Sequence, residues 1–516
     1  IYFLSERSGT FNVHKLALEN PSQNEQLTSF KLHPIRFLSI GNGILSFGYD
    51  GELYTMKEGE NPKKITVNIS TQDKENTDKF ISIEGSIDEM SVSPNGKEIA
   101  FIARGEVFVT SIDKSFTKRL TNTPQNESFV SWSPKGNSVI YSSERNGKWS
   151  VFKNEKVRKE EPFFYAATLI KEEALITNKL DNYLAQYSPD GKKIAFIEGR
   201  RTLKIKDLKS KKEVTLLTSK DLFHMRDGDK YFTWSPDSSW LLVDWSKTLS
   251  NSEVLLMAAD GSKRVNLNES GYYDSSPKWV NGGKQMIWTS NRNGLKSYAT
   301  SGNSQSDVYG MFFTQETWDE FNLSDEDYKL MQAIKEIEKK KKEKIKEKDG
   351  KKDDDKKSDI EKDKNKKDTI KALKFDWDYM KDRTKRFTIH SSKLGDAVLS
   401  KKGDQLYYLA SFEGKSNLWS TNLRTKETKM LLKLNVANGS LEWDADMKNL
   451  YLLSGGKITK LNLEASKNEK VKIKGEIEID KYAERTAMFN HVWIRTNAVF
   501  YRPDFHGVDW NQMKTE

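Results

Sequence analysis

The feature that most constrains this chain is a short phrase that returns along it. Its clearest copy is residues 91–113, SVSPNGKEIAFIARGEVFVTSID. Ser93-Pro94-Asn95-Gly96 reads as a turn, because Pro94 presets φ at the first corner and Asn95-Gly96 tolerate positive φ. Ile99-Ala100-Phe101-Ile102-Ala103 follows as a strand, Arg104-Gly105 as a second tight turn, and Val107-Phe108-Val109 as another strand. Two β-rich runs around a Gly-containing loop predict a hairpin. One hairpin cannot bury its apolar face alone, so the phrase is foldable only if copies of it stack.

Copies are present. Ser133-Pro134-Lys135-Gly136, Ser188-Pro189-Asp190-Gly191 and Ser235-Pro236-Asp237-Ser238 each precede an apolar run. Weaker copies begin at Trp279-Val280-Asn281-Gly282-Gly283, Ser400-Lys401-Lys402-Gly403 and Trp443-Asp444-Ala445-Asp446. Ser239 is read as standing at the glycine position of the fourth copy. A second signature recurs between strands: Ser5-Glu6-Arg7-Ser8-Gly9, Ser143-Glu144-Arg145-Asn146-Gly147 and Ser290-Asn291-Arg292-Asn293-Gly294. A period of roughly 40–50 residues with four short strands per unit predicts a β-propeller; another all-β array, such as a sandwich, is the competing architecture. Trp132, Trp234, Trp279 and Trp443 fall at matching points of their copies, which predicts packing between neighbouring blades.

The expected fold is mainly β. Residues 81–480 form a seven-bladed propeller, and residues 1–80 form two blades of a truncated first propeller. A short α-helical segment occupies 481–516. Residues 71–79, polar and poor in apolar side chains, read as a linker. Within the array, residues 310–371 break the period as a helical and Lys-rich insertion. Residues 314–321 and 325–337 have helical spacing, with Ser324 as N-cap of the second. Residues 339–371 are almost free of apolar side chains and are expected to stay a solvated loop or to act as an electrostatic docking arm. Residues 481–500 predict an amphipathic helix with Phe489, Val492, Trp493, Thr496 and Phe500 on one face. The chain opens at Ile1 already inside a strand, and 511–516 reads as a helix cut short before it can pack on anything. Both ends therefore read as those of a piece of something longer.

Charge and chemistry exclude more than they assign. The net charge is +10, but residues 335–371 hold 17 Lys against 12 Asp or Glu, so half the excess sits in that one tract. No basic stripe interleaved with aromatics remains to suggest nucleic acid. No apolar run is long enough to insert in a membrane. There are 0 cysteines, which removes disulfides, thiolate nucleophiles and Cys-based zinc sites. The six histidines, His14, His33, His224, His390, His491 and His506, show no metal-binding spacing. No phosphate-binding loop, dinucleotide fingerprint or nucleophile elbow is present. His506, in a loop with Asp504 and Asp509, is the one cluster that invites a catalytic guess, and with no nucleophile near it a structural role is expected. No catalytic residue, cofactor or metal is predicted. The Cys-free composition suits a bacterial periplasm or cell envelope, the favoured location, and suits a cytoplasm as well.

At this point the residues resemble a family. The Ser-Pro-x-Gly phrases resemble the propeller repeats of TolB-like proteins. Phe80-Ile81-Ser82-Ile83 followed by residues 93–108 looks like the opening of the second propeller of tricorn proteases. Residues 488–510, with Trp493 and His506-Gly507-Val508-Asp509-Trp510, look like the first helix and loop of the helical domain that follows the propellers there. The resemblance implies a serine peptidase whose propellers filter and conduct peptides to a C-terminal serine domain absent from this chain, so that this stretch alone is inactive. It implies peptide substrates and homo-oligomerisation through the longer protein. His491 and His506 do not match the family's catalytic histidine, so no catalytic residue carries over. A non-enzymatic TolB-like binding module is the alternative. A propeller-plus-hydrolase of the prolyl oligopeptidase kind is a third reading, disfavoured by the 506–510 stretch and the missing elbow.

Overall fold

The computed structural model describes residues 1–68, 78–248, 251–297, 304–349, 371–412 and 414–516. The chain divides into two compact units, Ile1–Asn76 and Thr77–Glu516. The first contains a three-stranded antiparallel sheet (Tyr2–Ser5, Asn12–Leu16, Asn24–Gln26) and a four-stranded one (Arg36–Gly41, Ile44–Tyr49, Glu52–Lys57, Lys63–Lys64). Val13, Ile35, Leu45, Phe47 and Met56 form its core.

The second unit carries seven four-stranded antiparallel sheets in chain order, spanning 87–119, 127–176, 182–217, 232–266, 274–386, 393–436 and 440–470, here blades 1 to 7. Each seam between neighbours has its own apolar cluster, including the seam that joins blade 7 back to blade 1. The ring is therefore closed. Closure explains a sequence feature: successive side chains of a strand point to opposite faces, and both faces are covered. Ile99, Phe101 and Ala103 pack towards blade 7, whereas Ala100 and Ile102 pack towards blade 2. All five are buried, so the strand reads as an unbroken apolar run. Outside the blades, strand Asp78–Ser82 pairs with Glu476–Asp480, tying the segment before blade 1 to the segment after blade 7. Lys79, read from sequence as linker, belongs to this closing pair; most of the linker lies outside the described residues.

The Ser-Pro-x-Gly phrase works as a clamp. In blade 1 the Ser93 hydroxyl accepts from Glu98 N at 3.0 Å while Gly96 N donates to Ser93 O at 2.9 Å. The hydroxyl contact recurs at Ser133, Ser188, Ser235 and Ser400, each accepting from the backbone N–H five residues on, at 2.9–3.1 Å. Asp444 does the same in blade 7. The left-handed corner is Gly96 (φ +65°) in blade 1 but Ser238 (φ 63°) in blade 4. The sequence placed Ser239 there; counting from Ser235, the corner falls one residue earlier. The tryptophans join neighbours as expected: the indole N–H groups of Trp132, Trp234, Trp279 and Trp443 donate to Ser91, Gln186, Thr233 and Leu399 carbonyls of the preceding blade at 2.9–3.2 Å.

The insertion leaves blade 5 between its third and fourth strands. It holds α1 (Gln315–Asn322) and α2 (Asp325–Asp349). Thr314 caps α1, and Ser324 Oγ accepts from Asp327 N at 3.1 Å at the start of α2. Arg424 of blade 6 donates to the Phe321, Leu323 and Glu320 carbonyls, satisfying the end of α1. The expectation of an unstructured tract from residue 339 is corrected for its first part, because α2 runs to Asp349. Lys and Glu are good helix formers without any burial, and pairs such as Glu336–Lys340 stabilise exposed helix. The remainder, 350–370, lies outside the described residues.

Candidate functional site

Two features of the second unit bear on function: the inner side of the ring and the helix that crosses one face of it. First strands of neighbouring blades lie side by side at the seams of blades 1 and 2, 2 and 3, 4 and 5, 6 and 7, and 7 and 1. Carboxylates link the blades. Glu89 of blade 1 accepts from Phe129 N at 2.6 Å and Val130 N at 3.1 Å in blade 2. Phe129 sits at φ 62° beside a break in strand register, which turns two successive N–H groups towards one oxygen. From the second strand of blade 4, Asp244 accepts from Ser276 N, itself at φ 55°, on the first strand of blade 5 at 3.2 Å. Asp396 accepts from Leu441 N at 2.7 Å and from Lys278 Nζ at 2.5 Å, joining blades 5, 6 and 7. Glu442 accepts from Val92 N at 2.9 Å, joining blade 7 to blade 1. Burial pushes Glu89, Asp244 and Glu442 up to about 7, against the pull of the backbone N–H donors. The inner wall is thus polar and acidic, with Lys278 its paired cation.

The predicted amphipathic helix forms as α3 (Lys481–Val499), capped by Asp480, whose carboxylate accepts from Tyr482 N and Ala483 N at 2.9 and 3.1 Å. Its polar face, not its apolar one, sits on the ring. Glu484 pairs with Arg104 of blade 1 at 2.9 Å. His491 Nδ1 meets Glu144 of blade 2 at 2.5 Å. Arg495 donates to Asp227 at 3.2 Å, to the Met225 carbonyl at 2.8 Å and to His224 Nε2 at 3.1 Å, all in the loop from blade 3 to blade 4. Asp227 is the node of this contact. It also accepts from Arg200 Nε at 2.9 Å and from the Trp149 indole at 3.2 Å, and Arg200 reaches Asp181 at 2.5 Å. Gly147 occupies the left-handed corner of its turn at φ +75°, and a Cβ there would stand 3.4 Å from Ile494 Cδ1, so the turn admits the helix closely. The hydrogen bond to Glu144 raises the His491 pKa above its ordinary value, with burial opposing.

The part of the apolar face of α3 formed by Phe489, Trp493 and Phe500 points outward, while Met488 and Val492 at its edge border the side of blades 1 and 2. Trp493 stacks on Trp510 at 3.9 Å between centroids, and Phe505 stacks on Phe500 at 4.6 Å and on Trp510 at 4.3 Å. The expectation that the helix at 511–516 packs on nothing is therefore corrected: it forms as α4 (Trp510–Thr515), and with the loop before it folds back on part of α3. Met488, Phe489, Val492 and Val499 remain exposed. His506 bonds the Tyr501 hydroxyl, Asp504 pairs with Arg502 at 2.6 Å, and Asp509 caps α4 by accepting from Asn511 N and Gln512 N, each at 3.0 Å. Each member of that cluster has a local structural partner. Of the seat residues, the sequence marks Arg104 and Glu144 only as parts of turns and does not mark Asp227 at all. The available signal was the spacing of Glu484, His491 and Arg495, which lie on one helical face.

Ring and helix define a class of protein, a closed seven-bladed propeller with a helical segment strapped across one face. Residues 481–516 match the Tricorn protease C1 domain family. The chain is 22% identical over 296 residues to a tricorn-like protease C-terminal subunit of Sulfurisphaera tokodaii, covering 57% of this chain and 32% of that protein. It is 21% identical over 308 residues to a tricorn protease homolog of Saccharolobus solfataricus, covering 57% of this chain and 25% of that one. The crystal structure of the tricorn protease has the same fold, with a TM-score of 0.68 at 14% identity over 100% of this chain and 46% of that one. The chain is tricorn-like. It spans between a quarter and a third of the curated relatives it matches.

Proposed function

We propose that this chain is the propeller portion of a tricorn-like serine peptidase. The ring acts as a filter that admits extended peptides and excludes folded protein, and hydrolysis takes place in a serine domain outside this chain. In this reading residues 1–80 are two blades of a first propeller, 81–480 the complete second one with its insertion at 310–371, and 481–516 the start of a helical domain. The observation that carries the reading is the combination of a closed seven-blade ring with a segment matching the C1 domain, seated on one face of that ring through Glu484, His491 and Arg495. A channel flanked by a ring of first strands has room for one chain without tertiary structure, and its polar wall matches a peptide's hydrogen-bonding backbone.

The purified 516-residue chain is expected to leave a peptide library intact, and reproducible cleavage would sink that part of the proposal. In the longer protein, Ser440→Trp, a bulky side chain at an exposed position of the first strand of blade 7, is expected to slow turnover of ten-residue peptides severalfold more than turnover of dipeptide amides. Equal effects on both substrates would argue against passage through the ring.

A further inference from the structure

Between α3 and the ring lies a cleft of about 650 Å³, within the ~300–1,000 Å³ usual for ligand pockets. Arg104, Gln125, Asn126, Glu144 and Asn146 of blades 1 and 2 and the loop between them form one wall; Asn490 and Met488 of α3 form the other, and Lys514 of α4 also lines the cleft. The charges divide into two kinds. Arg104 is matched by Glu484, and Glu144 by His491 when that imidazole is protonated, which the carboxylate favours. Lys514 makes no ion pair among the described residues. Nor do the side chains of Gln125, Asn126, Asn146 and Asn490 make any hydrogen bond among them. The cleft thus holds four carboxamides with unspent donors and acceptors and one free ammonium, beside apolar surface from Met488, Val492 and Ile494.

We infer that this cleft is a peptide-binding site that takes an extended segment bearing a carboxylate. A carboxamide offers one acceptor and two donors, the complement of a peptide group, so four of them along one cleft match a backbone without regard to side chain. Met488 and Val492 give the segment's apolar parts a place out of water, and Lys514 takes the carboxylate. The inference rests on the peptide-handling reading above, and it places a second peptide site beside the face of the ring that α3 crosses, apart from the channel itself.

The test is fluorescence anisotropy on the whole chain, with fluorescein-labelled Gly-Ala-Ser-Ala-Ala as probe in two forms, one with a free C-terminal carboxylate and one amidated. The acid form is expected to bind saturably and the amide about tenfold more weakly, the size of one charge-assisted hydrogen bond. Lys514→Met is expected to erase the difference between the two forms. Asn490→Ala, benign within a helix, and Asn146→Gly, which keeps the left-handed turn, are each expected to weaken both forms about fivefold. Because Asn146 stands on an exposed turn, its variant reports on the site even if a helix variant unfolds. Binding that ignores all three substitutions overturns the cleft, as does the absence of saturable binding. Neither result touches the channel reading, which is tested by turnover with Ser440→Trp.

Discussion

The seams between blades and the seat of α3 are built in opposite ways. Each seam buries an apolar cluster and adds one or two polar ties, such as the Trp132 indole on the Ser91 carbonyl. The seat of α3 is held by ion pairs at three blade positions, while Phe489, Trp493 and Phe500 of the apolar face turn away from the ring. Burial of apolar area is non-directional and large; ion pairs are directional and, where water reaches them, small. The ring should therefore be the rigid body, and the helix a part that detaches first.

The largest expected break falls in a seam. Trp132→Ala removes a buried indole and its hydrogen bond, and should cost about 4 kcal/mol of ring stability, read as a lowered urea midpoint. A loss below about 1 kcal/mol would show that the seams are not the source of cohesion. Next comes the node of the seat. Arg495→Met removes the helix's share of Asp227 while leaving Arg200 and Trp149 on that carboxylate. It should cost about 2 kcal/mol, and the loss should appear in amide hydrogen exchange of α3 with exchange in the blades unchanged. Uniformly faster exchange through blades 2 and 3 would mean that the seat is part of the ring's own stability.

The asymmetry also explains what could be read from sequence. The seams were legible because the forces that build them leave a period: a serine that clamps, a residue with positive φ, an apolar run covered on both faces, a tryptophan at one fixed place. Even the weakest copy, with Asp444 for serine and Met447 at the positive-φ corner, folds as a full sheet. On the ring side of the seat, Arg104 and Glu144 do stand one repeat apart, at the hairpins between the second and third strands of blades 1 and 2, where they read only as turn-forming residues, whereas Asp227 comes from the loop between blades 3 and 4, outside the repeat. On the helix side the apolar residues drew the eye, and Phe489, Trp493 and Phe500 among them proved to lie on the side that the ring does not touch. The helical run of α2 past residue 339 was missed for a related reason: its order comes from local propensity, not from burial.

Titration separates the two regions further. The carboxyl groups of Glu89, Asp244 and Glu442 have folded values near 7, above their unfolded ones. Their contribution is fully present below the unfolded values, 4.5 for the two glutamates and 3.8 for Asp244, and is lost as pH rises towards 7. Glu89→Gln keeps an acceptor for Phe129 N and Val130 N without the charge. Its Tm relative to the parent should accordingly rise between pH 5 and pH 8, and a constant difference would remove Glu89 from the account. His491 acts on the helix instead. Its pKa is raised by Glu144, with Asp227 adding to the effect and Arg495 opposing. Its contribution is present below about 6.5 and lost as pH rises through the folded value. After correction for intrinsic rates, exchange in α3 should be slower at pH 6 than at pH 8, and His491→Gln should flatten that dependence without altering the Tm of the ring.

The smallest effect belongs to Arg104 and Glu484, and it sharpens the comparison because it should be nearly invisible. Both side chains are 37% exposed, so water and salt screen the pair. Arg104→Lys should change stability by less than about 0.5 kcal/mol, and raising the salt should remove even that. Arg104 stands at φ 50° at the corner of a hairpin, so a change to a β-branched residue would add backbone strain unrelated to the pair. Lysine avoids that confusion. An effect above about 1 kcal/mol that survives high salt would mean the start of α3 is fixed as firmly as its Asp227 end. The helix would then be clamped to the ring along its length. A null result leaves the start of the helix held by the strand Glu476–Asp480 that precedes it, and its far half by Arg495 and Asp227, with the Arg104 pair adding nothing to either hold.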